Sequence, residues 1–465
     1  MTVTPRPDQI EWIDGIAAAF RRHRRVCGVA STGFGKTVCF SEITRRTALK
    51  GKRVAIVAHR IEIVDQIGRA LTRSGVIFGR IGMPLDEDAP VLIGMVQTVA
   101  NRAGSIRQPD LLVVDECHHA TAGSYRRIAE TWPDSYVLGV TATPQRTDGT
   151  GLVAAFDEIV LGPPMAELIA RGNLAGYRYL APLQQVDLSG VKTRAGDYAQ
   201  DQLADAMDRA SITGDAVQHY AKHLAGAPAI AFCISVEHAK HVAEAFNAAG
   251  WRSASVDGGT DKYERADRIA AIGDGRLNVL ASCDLISEGT DIPSVAGALL
   301  MRPTKSLIIY MQQVGRVLRP KPDGTRATIL DHCGNVFAHG LPDEPREWSL
   351  QGSKVRAPVA RIVTCPACYV AHRPAPKCPE CGHSYAAIKE PRRQVEKRDG
   401  ELVELKGEHE KHIAAEMKLA LKSAKTRDQV EAIRVSRGYK PGWTDHVMRI
   451  RGDYSSRYQR GGQAA

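Results

Sequence analysis

The sequence predicts an α/β protein with two tandem parallel-sheet domains, followed by a small metal-binding module and a basic helical tail. Three observations support this fold class. Strand-like apolar runs alternate with helical patterns in two successive stretches, which is typical of parallel sheets covered by helices. Two Cys-x-x-Cys pairs lie close together between residues 365 and 381. The whole net charge of +10 is carried by residues 346–465, with 24 Lys and Arg against 14 Asp and Glu.

The composition is that of a folded globular protein, because 43% of the 465 residues are apolar and 25% are charged. No apolar run approaches the roughly 20 residues of a membrane span, and the first residues lack a signal-peptide pattern. We therefore expect a cytoplasmic protein without a membrane partner. A basic segment attached to a neutral body indicates attraction to a polyanion such as nucleic acid, although a solvated charged tail is the other explanation.

The first domain contains a glycine-rich loop, "STGFGKT", between a strand-like run and a helical pattern. Such a loop brings backbone N–H groups close to phosphates. We predict that Lys36 reaches the β- and γ-phosphates and that the Thr37 hydroxyl ligates Mg²⁺. A chance match in a flexible loop is the alternative. The predicted phosphate-binding residues are Ser31, Thr32, Gly33, Phe34, Gly35, Lys36 and Thr37.

Two carboxylates follow a later hydrophobic strand in "LLVVDECHHA". Asp115 is suited to hold Mg²⁺ through water, and Glu116 to orient or deprotonate an attacking water. Alone, an Asp-Glu pair would more often begin a helix. Together with Lys36 and Thr37, it predicts hydrolysis of a nucleoside triphosphate.

Residues 228–330 repeat the α/β pattern without a second phosphate loop, so this domain is expected to act on the nucleotide of the first. Its string "PAIAFCISVEHAKHVAEAFNAAG" predicts a buried strand and an amphipathic helix capped by Ser235. In "IIYMQQVGRVLRP", Arg316 and Arg319 stand three apart on a predicted helix that Pro320 ends. Two guanidiniums on one face can clamp a γ-phosphate, whereas a solvated arginine pair is the alternative.

As a set, these motifs resemble the superfamily 2 helicases and translocases of DEAD/DEAH type. "DECHH" is similar to their DEAH box, "VTATPQR" to the motif after it, and "RPDQIEWIDGI" to the segment whose glutamine reads adenine. The resemblance implies ATP and Mg²⁺ as cofactors and two RecA-like domains, at residues 1–175 and 176–345. It places Arg6 and Gln9 next to the adenine base of the nucleotide, and Asp291 and Gln312 on the ATP side of the cleft.

The same resemblance implies contacts to a nucleic-acid backbone. "VAHRIEIVDQ" and "GMVQTV" are similar to two of the family's backbone-touching segments. Read alone, each residue is equally well explained as a polar group closing a strand. Closure of the cleft around ATP and its reopening after hydrolysis would shift the two domains along the polynucleotide. The implied contact residues are His59, Arg60, Gln97, Thr98, Gly258, Thr260, Gly289 and Thr290.

The four grouped cysteines predict a metal-binding ribbon over residues 360–386. Two Cys-x-x-Cys knuckles separated by nine residues suit a tetrahedral structural Zn²⁺. An iron–sulfur cluster and two disulfides are the alternatives, and His372 and His383 could substitute as ligands. The predicted ligands are Cys365, Cys368, Cys378 and Cys381.

The role of this ribbon is open from the sequence. Its basic and aromatic residues could grip phosphates and stack on bases, or the ribbon could brace the core or bind a protein. The residues suited to nucleic acid are Arg361, Arg373, Lys377, Tyr369 and Tyr385.

The tail, residues 387–465, has a helical pattern up to Gly438, where Gly438 and Pro441 are expected to end the helix. Its last part interleaves basic residues with aromatic ones, which suits single-stranded nucleic acid. A small helical hairpin with a wet basic face is the alternative. The aromatic residues are Tyr439, Trp443, Tyr454 and Tyr458.

The ribbon and the tail string "RGYKPGW" narrow the resemblance to bacterial and phage helicase-like ATPases of the RadD type, associated with DNA repair and recombination. This implies DNA, single-stranded or branched, as the partner, and single-strand-binding protein as a further one. His118 in the box and the absence of "PTREL" favour DNA over RNA. The alternatives are a DNA-stimulated ATPase that remodels protein–DNA complexes, an RNA helicase, and a binding module with an ATP switch. A nuclease subunit or restriction motor is less favoured, because no separate metal-nuclease motif stands out in the sequence.

Overall fold

The computed structural model describes residues 4–82, 89–119, 123–146, 149–183, 188, 190–194, 197–199, 202–203, 210–283, 295–352, 361–385 and 408–450. The chain forms two compact units, Met1–Ala386 and Ala387–Ala465. Among the described helices, none combines the length and the apolarity that crossing a bilayer requires.

The first domain is a parallel sheet with helices packed against it. Its described strands are β1 (Arg25–Val29), β2 (Val54–Ala58), β3 (Gly79–Arg80), β4 (Val91–Met95), β5 (Leu111–Asp115), β6 (Tyr136–Thr141) and β7 (Glu158–Leu161). Its helices are α1 (Pro7–Ala19), α2 (Lys36–Ala48), α3 (Ile61–Arg73), α4 (Val96–Arg102), α5 (Gly123–Thr131) and α6 (Met165–Ala170). The strand order is β3-β4-β2-β5-β6-β1-β7, with every pairing parallel.

The second domain repeats this construction. Its sheet consists of β8 (Tyr177–Leu180), β11 (Ala229–Phe232), β12 (Ser253–Val256), β13 (Val279–Ser282), β14 (Gly297–Leu300) and β15 (Ala327–Asp331), with a hairpin of β9 (Thr193–Arg194) and β10 (Asp197–Tyr198) beside it. Its helices are α7 (Ala210–His223), α8 (Val236–Ala248), α9 (Lys262–Gly273), α10 (Leu307–Val317) and α11 (Asn335–His339). The order β12-β13-β11-β14-β15-β8 is again wholly parallel.

The predicted fold class is confirmed, and the burial pattern explains it. The strand β2, "VAIVA", is buried at all five positions, as parallel strands are when helices cover both faces. In α8 the Ser235 hydroxyl accepts the N–H of His238 at 3.0 Å, so the predicted cap is present. The predicted apolar face of this helix is buried, at Ala239, Val242, Ala243 and Phe246.

The four-cysteine segment is an extension of the second sheet. Its hairpin consists of β16 (Val363–Thr364) and β17 (Ala371–His372), paired antiparallel. Val370 forms an antiparallel bridge with Leu180 at the end of β8, and the Ala181 N–H donates to the Tyr369 carbonyl at 3.1 Å. The ribbon therefore continues the second domain at its edge strand.

The second unit, where described, contains the helices α12 (Glu408–Ser423) and α13 (Arg427–Ser436). The single helix predicted up to Gly438 is thus interrupted. The Thr426 hydroxyl accepts the N–H of Gln429, and the Gln429 side chain accepts the Thr426 N–H in return, so a new helix begins at this capping box. Gly438 has a positive φ of 68°, as expected where a helix ends.

The aromatic residues of the tail are only partly described. The Tyr439 and Trp443 rings stack with their centroids 4.8 Å apart. Tyr454 and Tyr458 lie outside the described residues. The described part matches the helical-hairpin interpretation of this segment.

Candidate functional site

The phosphate loop connects β1 to α2 in the way that the sequence predicts. Gly33 and Gly35 have φ of 87° and 94°, in the left-handed region that side chains other than glycine rarely adopt. A Cβ on Gly35 would lie 2.5 Å from Nε2 of Gln9. The Lys36 ammonium donates to the Ala30 carbonyl at 3.1 Å, so it lies across the loop. Thr37 follows in the first turn of the helix.

Charges from three separate segments converge on Lys36. Burial lowers the pKa of its ammonium, whereas the Glu116 and Asp115 carboxyl groups act to raise it. Arg316, from α10 of the second domain, acts to lower it. The structure thus brings together the predicted phosphate-binding lysine, the acidic pair and one predicted arginine finger.

The acidic pair lies at the carboxyl end of β5. The Glu116 N–H donates to Oδ1 of Asp115 at 3.0 Å, and Glu116 has a φ of 48°, unusual for a residue other than glycine. Burial, together with the neighbouring Glu116, raises the pKa of Asp115 to about 7, while Lys36 and His59 act to lower it. The buried carboxyl group of Asp115 and the half-buried one of Glu116 form a donor set that fits a hard divalent cation such as Mg²⁺.

A histidine joins this pair to the neighbouring strand. Nδ1 of His118 lies 3.4 Å from Oε2 of Glu116 and 3.2 Å from Oγ1 of Thr141 at the end of β6. The Thr141 hydroxyl donates to the Thr143 carbonyl and accepts the N–H of the same residue. The catalytic or binding role of His118, Thr141 and Thr143 was not predicted from the sequence. The strings "DECHH" and "VTATPQR" contain them, but their contact depends on β5 pairing with β6.

The segment predicted to read the base packs on the phosphate loop. Nε2 of Gln9 donates to the Phe34 carbonyl at 2.8 Å, and Oε1 accepts the Arg6 N–H at 2.9 Å. The Arg6 guanidinium donates to the same carbonyl at 3.0 Å and pairs with Asp8 at 3.1 Å. An adenine contact by Gln9 would therefore use its second amide hydrogen or the second lone pair of Oε1. Asp8, which also accepts from Asn173 at 3.1 Å, was not singled out from the sequence.

The helix α10 carries the predicted residues of the second domain directly to this loop. Gln312 and Arg316 are both buried. Gly315, beside Arg316, is so close to the loop that an added Cβ would lie 2.4 Å from Cβ of Thr32. The predicted cleft between the domains is therefore closed around the phosphate loop in this structure.

The prediction that Arg316 and Arg319 share a helix face is wrong. The helix ends at Val317, so Arg319 lies beyond it. Two physical causes account for the early end. A residue before a proline is disfavoured in helical conformation, and the Leu318 carbonyl is bonded to the Ala175 N–H at 2.8 Å instead of to its own helix.

The residues implied in nucleic-acid contact lie where strands end. His59 and Arg60 follow β2, and Gln97 and Thr98 are in the first turn of α4, directly after β4. Gly258 and Thr260 lie between β12 and α9 in the other domain. Three implied residues, Gly289, Thr290 and Asp291, lie outside the described part of the chain.

An ion pair joins the two halves of this surface. The Arg265 guanidinium in α9 contacts Oε1 of Glu62, in the first turn of α3, at 2.6 Å. It also donates to the carbonyls of Thr260, at 2.9 Å, and Gly258, at 3.3 Å. The segment after β2 in one domain and the segment after β12 in the other are thereby held together. Neither Glu62 nor Arg265 was singled out from the sequence.

The four cysteine sulfurs form a cluster of the size of a metal site. Sγ of Cys365 lies 3.6 Å from Sγ of Cys381, and Sγ of Cys368 lies 3.7 Å from Sγ of Cys378. All four atoms lie within 4.8 Å of one another. Zinc–sulfur bonds of about 2.3 Å in a tetrahedron place sulfurs roughly 3.8 Å apart, so the donor set fits Zn²⁺.

The surroundings favour thiolate at Cys365 but not at Cys368, whose pKa is raised by burial to about 12. Although burial acts against it, hydrogen bonds from the N–H groups of Cys368 and Ala367 lower the pKa of Cys365 to about 6. His372 lies outside the sulfur cluster, since its Nε2 is 2.7 Å from the Tyr385 hydroxyl.

Charged residues of the ribbon are engaged with the second domain. Glu380 pairs with Arg178 at 3.3 Å and with Arg326 at 3.0 Å. Arg373, considered above as a phosphate contact, pairs with Asp343 at 3.5 Å and with Glu344 at 3.2 Å. These pairs support the bracing interpretation of the ribbon.

Known proteins share both the motifs and the fold. Residues 2–146 match the family described as type III restriction enzyme, res subunit, and residues 214–321 match the helicase conserved C-terminal domain. A 51.5 kDa protein of Lactococcus phage (isolate 7-9) is 35% identical over 409 residues, which cover 86% of this chain and 88% of the phage protein. The chain belongs to the superfamily 2 helicases. This helicase is an ATP-hydrolysing enzyme of DEAD/DEAH type.

Two further proteins extend the comparison. "Putative ATP-dependent helicase IRC3" of Saccharomyces cerevisiae is 28% identical over 356 residues, covering 71% of this helicase and 51% of the yeast protein. The structure of the ATP-dependent Type ISP restriction-modification enzyme LlaBIII bound to DNA has a TM-score of 0.54 and 15% identity, over 71% of this chain and 28% of that one. This helicase therefore shares the fold of the LlaBIII enzyme and spans only part of both proteins.

Proposed function

We propose that this helicase couples ATP hydrolysis in the cleft to movement along DNA, in DNA repair, recombination or replication. One observation carries the proposal. The Arg316 guanidinium of the second domain is close enough to the phosphate-loop lysine of the first, Lys36, to act to lower the pKa of its ammonium. The two proposed RecA-like domains, residues 1–175 and 176–345, would each grip the backbone. Loss of the γ-phosphate would then change their separation.

The proposed chemistry assigns one task to each group. Lys36 and the loop N–H groups hold the phosphates, and Glu116 orients the attacking water while His118 holds the Glu116 carboxylate in place. Mg²⁺, held by Thr37 and through water by Asp115, would supply positive charge to the phosphate oxygens. Arg316 and Arg319 would neutralise the negative charge of the γ-phosphate, and Gln312 would lie beside them on the ATP side of the cleft.

The nucleic-acid path is proposed to follow the ends of β2 and β4 and the segment after β12. His59 acts on the pKa of Asp115, so this segment lies near the acidic pair. A change in the contacts to the nucleic-acid backbone would therefore alter the electrostatic environment of the acidic pair, where ATP is hydrolysed. DNA is favoured because the LlaBIII enzyme of the same fold is bound to DNA and because the C-terminal quarter is basic.

The cysteine cluster is proposed to hold a structural Zn²⁺. The Zn²⁺ would keep the ribbon folded against β8. The salt bridges of Glu380 and Arg373 would then stabilise the second domain by holding the folded ribbon against it.

The first test is steady-state ATP hydrolysis without nucleic acid and with single-stranded DNA, duplex DNA or RNA. A Glu116→Gln variant, which keeps the size of the side chain but removes its charge, serves as the blank. We expect strong stimulation by DNA and little by RNA. Turnover that no polynucleotide changes would contradict the motor proposal.

A second test separates unwinding from remodelling. A duplex with a protein bound to one end is incubated with ATP, and strand release and protein release are measured separately. Release of the protein alone would favour a DNA-stimulated ATPase that remodels protein–DNA complexes.

A further inference from the structure

Gly315 is a glycine that its own helix does not require. It lies in the interior of α10, where glycine is less favourable than alanine. Its backbone is not among the positive-φ conformations for which glycine is needed. The reason for glycine must therefore lie in what approaches the helix at this point.

That approach is made by the other domain. The three atoms nearest to an added Cβ all belong to Thr32 of the phosphate loop: Cβ at 2.4 Å, Cγ2 at 2.5 Å and Oγ1 at 3.2 Å. Contacts shorter than about 3 Å do not occur between such atoms, so no side chain fits here while the cleft is closed.

The loop has little freedom to move aside. Its Phe34 carbonyl accepts hydrogen bonds from Gln9 at 2.8 Å and from Arg6 at 3.0 Å, and Lys36 bonds to the Ala30 carbonyl at 3.1 Å. On the other side, α10 is buried along most of its length. A side chain at position 315 would therefore be accommodated most easily by separation of the two domains.

We propose that Gly315 is a positioning residue for ATP hydrolysis. Its missing side chain lets α10 touch Thr32, and this contact sets how closely Arg316 approaches Lys36. The inference rests on the proposed function of the cleft. Gly315 touches neither the nucleotide nor the water in this proposal, and it acts through Arg316.

The experiment compares Gly315→Ala with the unchanged full-length chain. Because the clash exists only in the closed cleft, we expect kcat for DNA-stimulated ATP hydrolysis to fall roughly 10- to 100-fold, the effect of a displaced catalytic group. Binding of ATP to the first domain should change little, so the effect should appear in kcat and not in nucleotide affinity. Gly123→Ala is the matched control, since nothing lies within 4 Å of its added Cβ. Its kcat should be unchanged.

A rescue experiment distinguishes positioning from a general disturbance of α10. In a Thr32→Gly background the three clashing atoms are absent, so adding Gly315→Ala should lower kcat no further. An equal loss in both backgrounds would overturn the proposal, because the damage would then lie within the helix.

A distance measurement covers the case in which Thr32→Gly is itself inactive. Fluorescence energy transfer between labels on the two domains, with ADP and beryllium fluoride bound, should report closure for the unchanged chain and a larger separation for Gly315→Ala. Equal closure in both would overturn the proposal.

Failure of this inference can be told from failure of the proposed function. If the unchanged chain hydrolyses ATP in response to DNA while Gly315→Ala does so equally well, only the inference fails. If the unchanged chain does not respond to DNA, the proposed function fails.

Discussion

The two domains meet in two different ways, at the ATP cleft and at the proposed nucleic-acid surface. At the cleft the domains are closely packed: α10 touches Thr32 at a glycine, and the Ala175 N–H donates to the Leu318 carbonyl at 2.8 Å. At the surface the contact is an ion pair between two long side chains, Arg265 and Glu62, at 2.6 Å.

This difference corresponds to what each region is proposed to do. Phosphoryl transfer depends on groups held within fractions of an ångström, which close packing can provide. A grip on a backbone must form and release repeatedly. A partly exposed ion pair is suited to repeated formation and release, because it stabilises the contact by only a small net free energy and is weakened by salt. Substitutions at the cleft should therefore change ATP turnover more than substitutions at the surface ion pair.

Removing the charge at the centre of the cleft should abolish turnover. Lys36→Ala is expected to lower kcat for ATP hydrolysis at least about 100-fold, because a preorganised charge on the phosphates is lost. DNA binding, measured by fluorescence anisotropy, should be largely kept, since the proposed nucleic-acid contacts are elsewhere. Lys50→Ala, at an exposed lysine just after α2, is the control and should behave normally. Normal turnover in Lys36→Ala would remove the active-site assignment.

Removing a ribbon ligand should loosen the second domain without changing the groups of the cleft. Cys378→Ser is expected to reduce bound zinc from one per chain to nearly none, measured by elemental analysis. It should lower the melting temperature by roughly 5–10 °C, because metal binding and folding of the ribbon are linked. The Cys283→Ser variant changes a cysteine outside the cluster, so it should keep the metal of the ribbon. Protein purified without zinc or iron would contradict the ribbon assignment.

Acid should weaken the second domain through two partly buried histidines. Burial lowers the pKa of His332 to about 3, and burial with the nearby Arg178 lowers that of His223 to about 4. In the unfolded chain both should titrate near the usual value of about 6.5. The unfolded state therefore binds more protons below that pH. Their contribution to the free energy of unfolding is complete above about pH 6.5 and is lost as the pH falls through about 4 for His223 and about 3 for His332.

The measurement is the free energy of unfolding in urea as a function of pH. At pH 5.5 we expect a loss of about 1 kcal/mol from His332 alone. His332→Phe, which retains an aromatic ring against His219, should flatten the pH dependence between 6.5 and 4.5. A slope unchanged by this substitution would assign the pH dependence to other groups.

Breaking the surface ion pair should have the smallest effect. Glu62→Gln or Arg265→Gln is expected to reduce DNA stimulation of the ATPase about two- to fivefold, since such pairs contribute roughly 0.5–1 kcal/mol. The loss should diminish at high salt. Exchanging the two charges in one variant should restore part of the stimulation. Arg268→Gln, which breaks a pair with Glu264 inside α9, is the matched control. A loss as large as that of Lys36→Ala would contradict the contrast between the two regions.

Much of the fold was predictable because its signals are local. The phosphate loop lies between a buried strand and a helix, and the acidic pair lies at the end of another buried strand. Both strands are parallel members of one sheet, so their carboxyl ends lie at the same edge. The cysteine pairs are close in sequence, so their convergence needs only tight turns. The Ser235 cap was likewise readable from its neighbours. The end of α10 was not, because a carbonyl bond to Ala175, from a distant segment, helped decide it.

By itself the sequence determined which chemical groups are present and in what spacing: the lysine and threonine of the loop, the acidic pair, the arginines and the four thiols. Only the tertiary structure decided which of them touch. The pair of Arg265 with Glu62 spans 203 residues, and the contact of Gly315 with Thr32 joins two domains. The physical reason is that neighbours along the chain constrain one another through backbone geometry. Distant side chains meet only where packed helices and sheets bring them together.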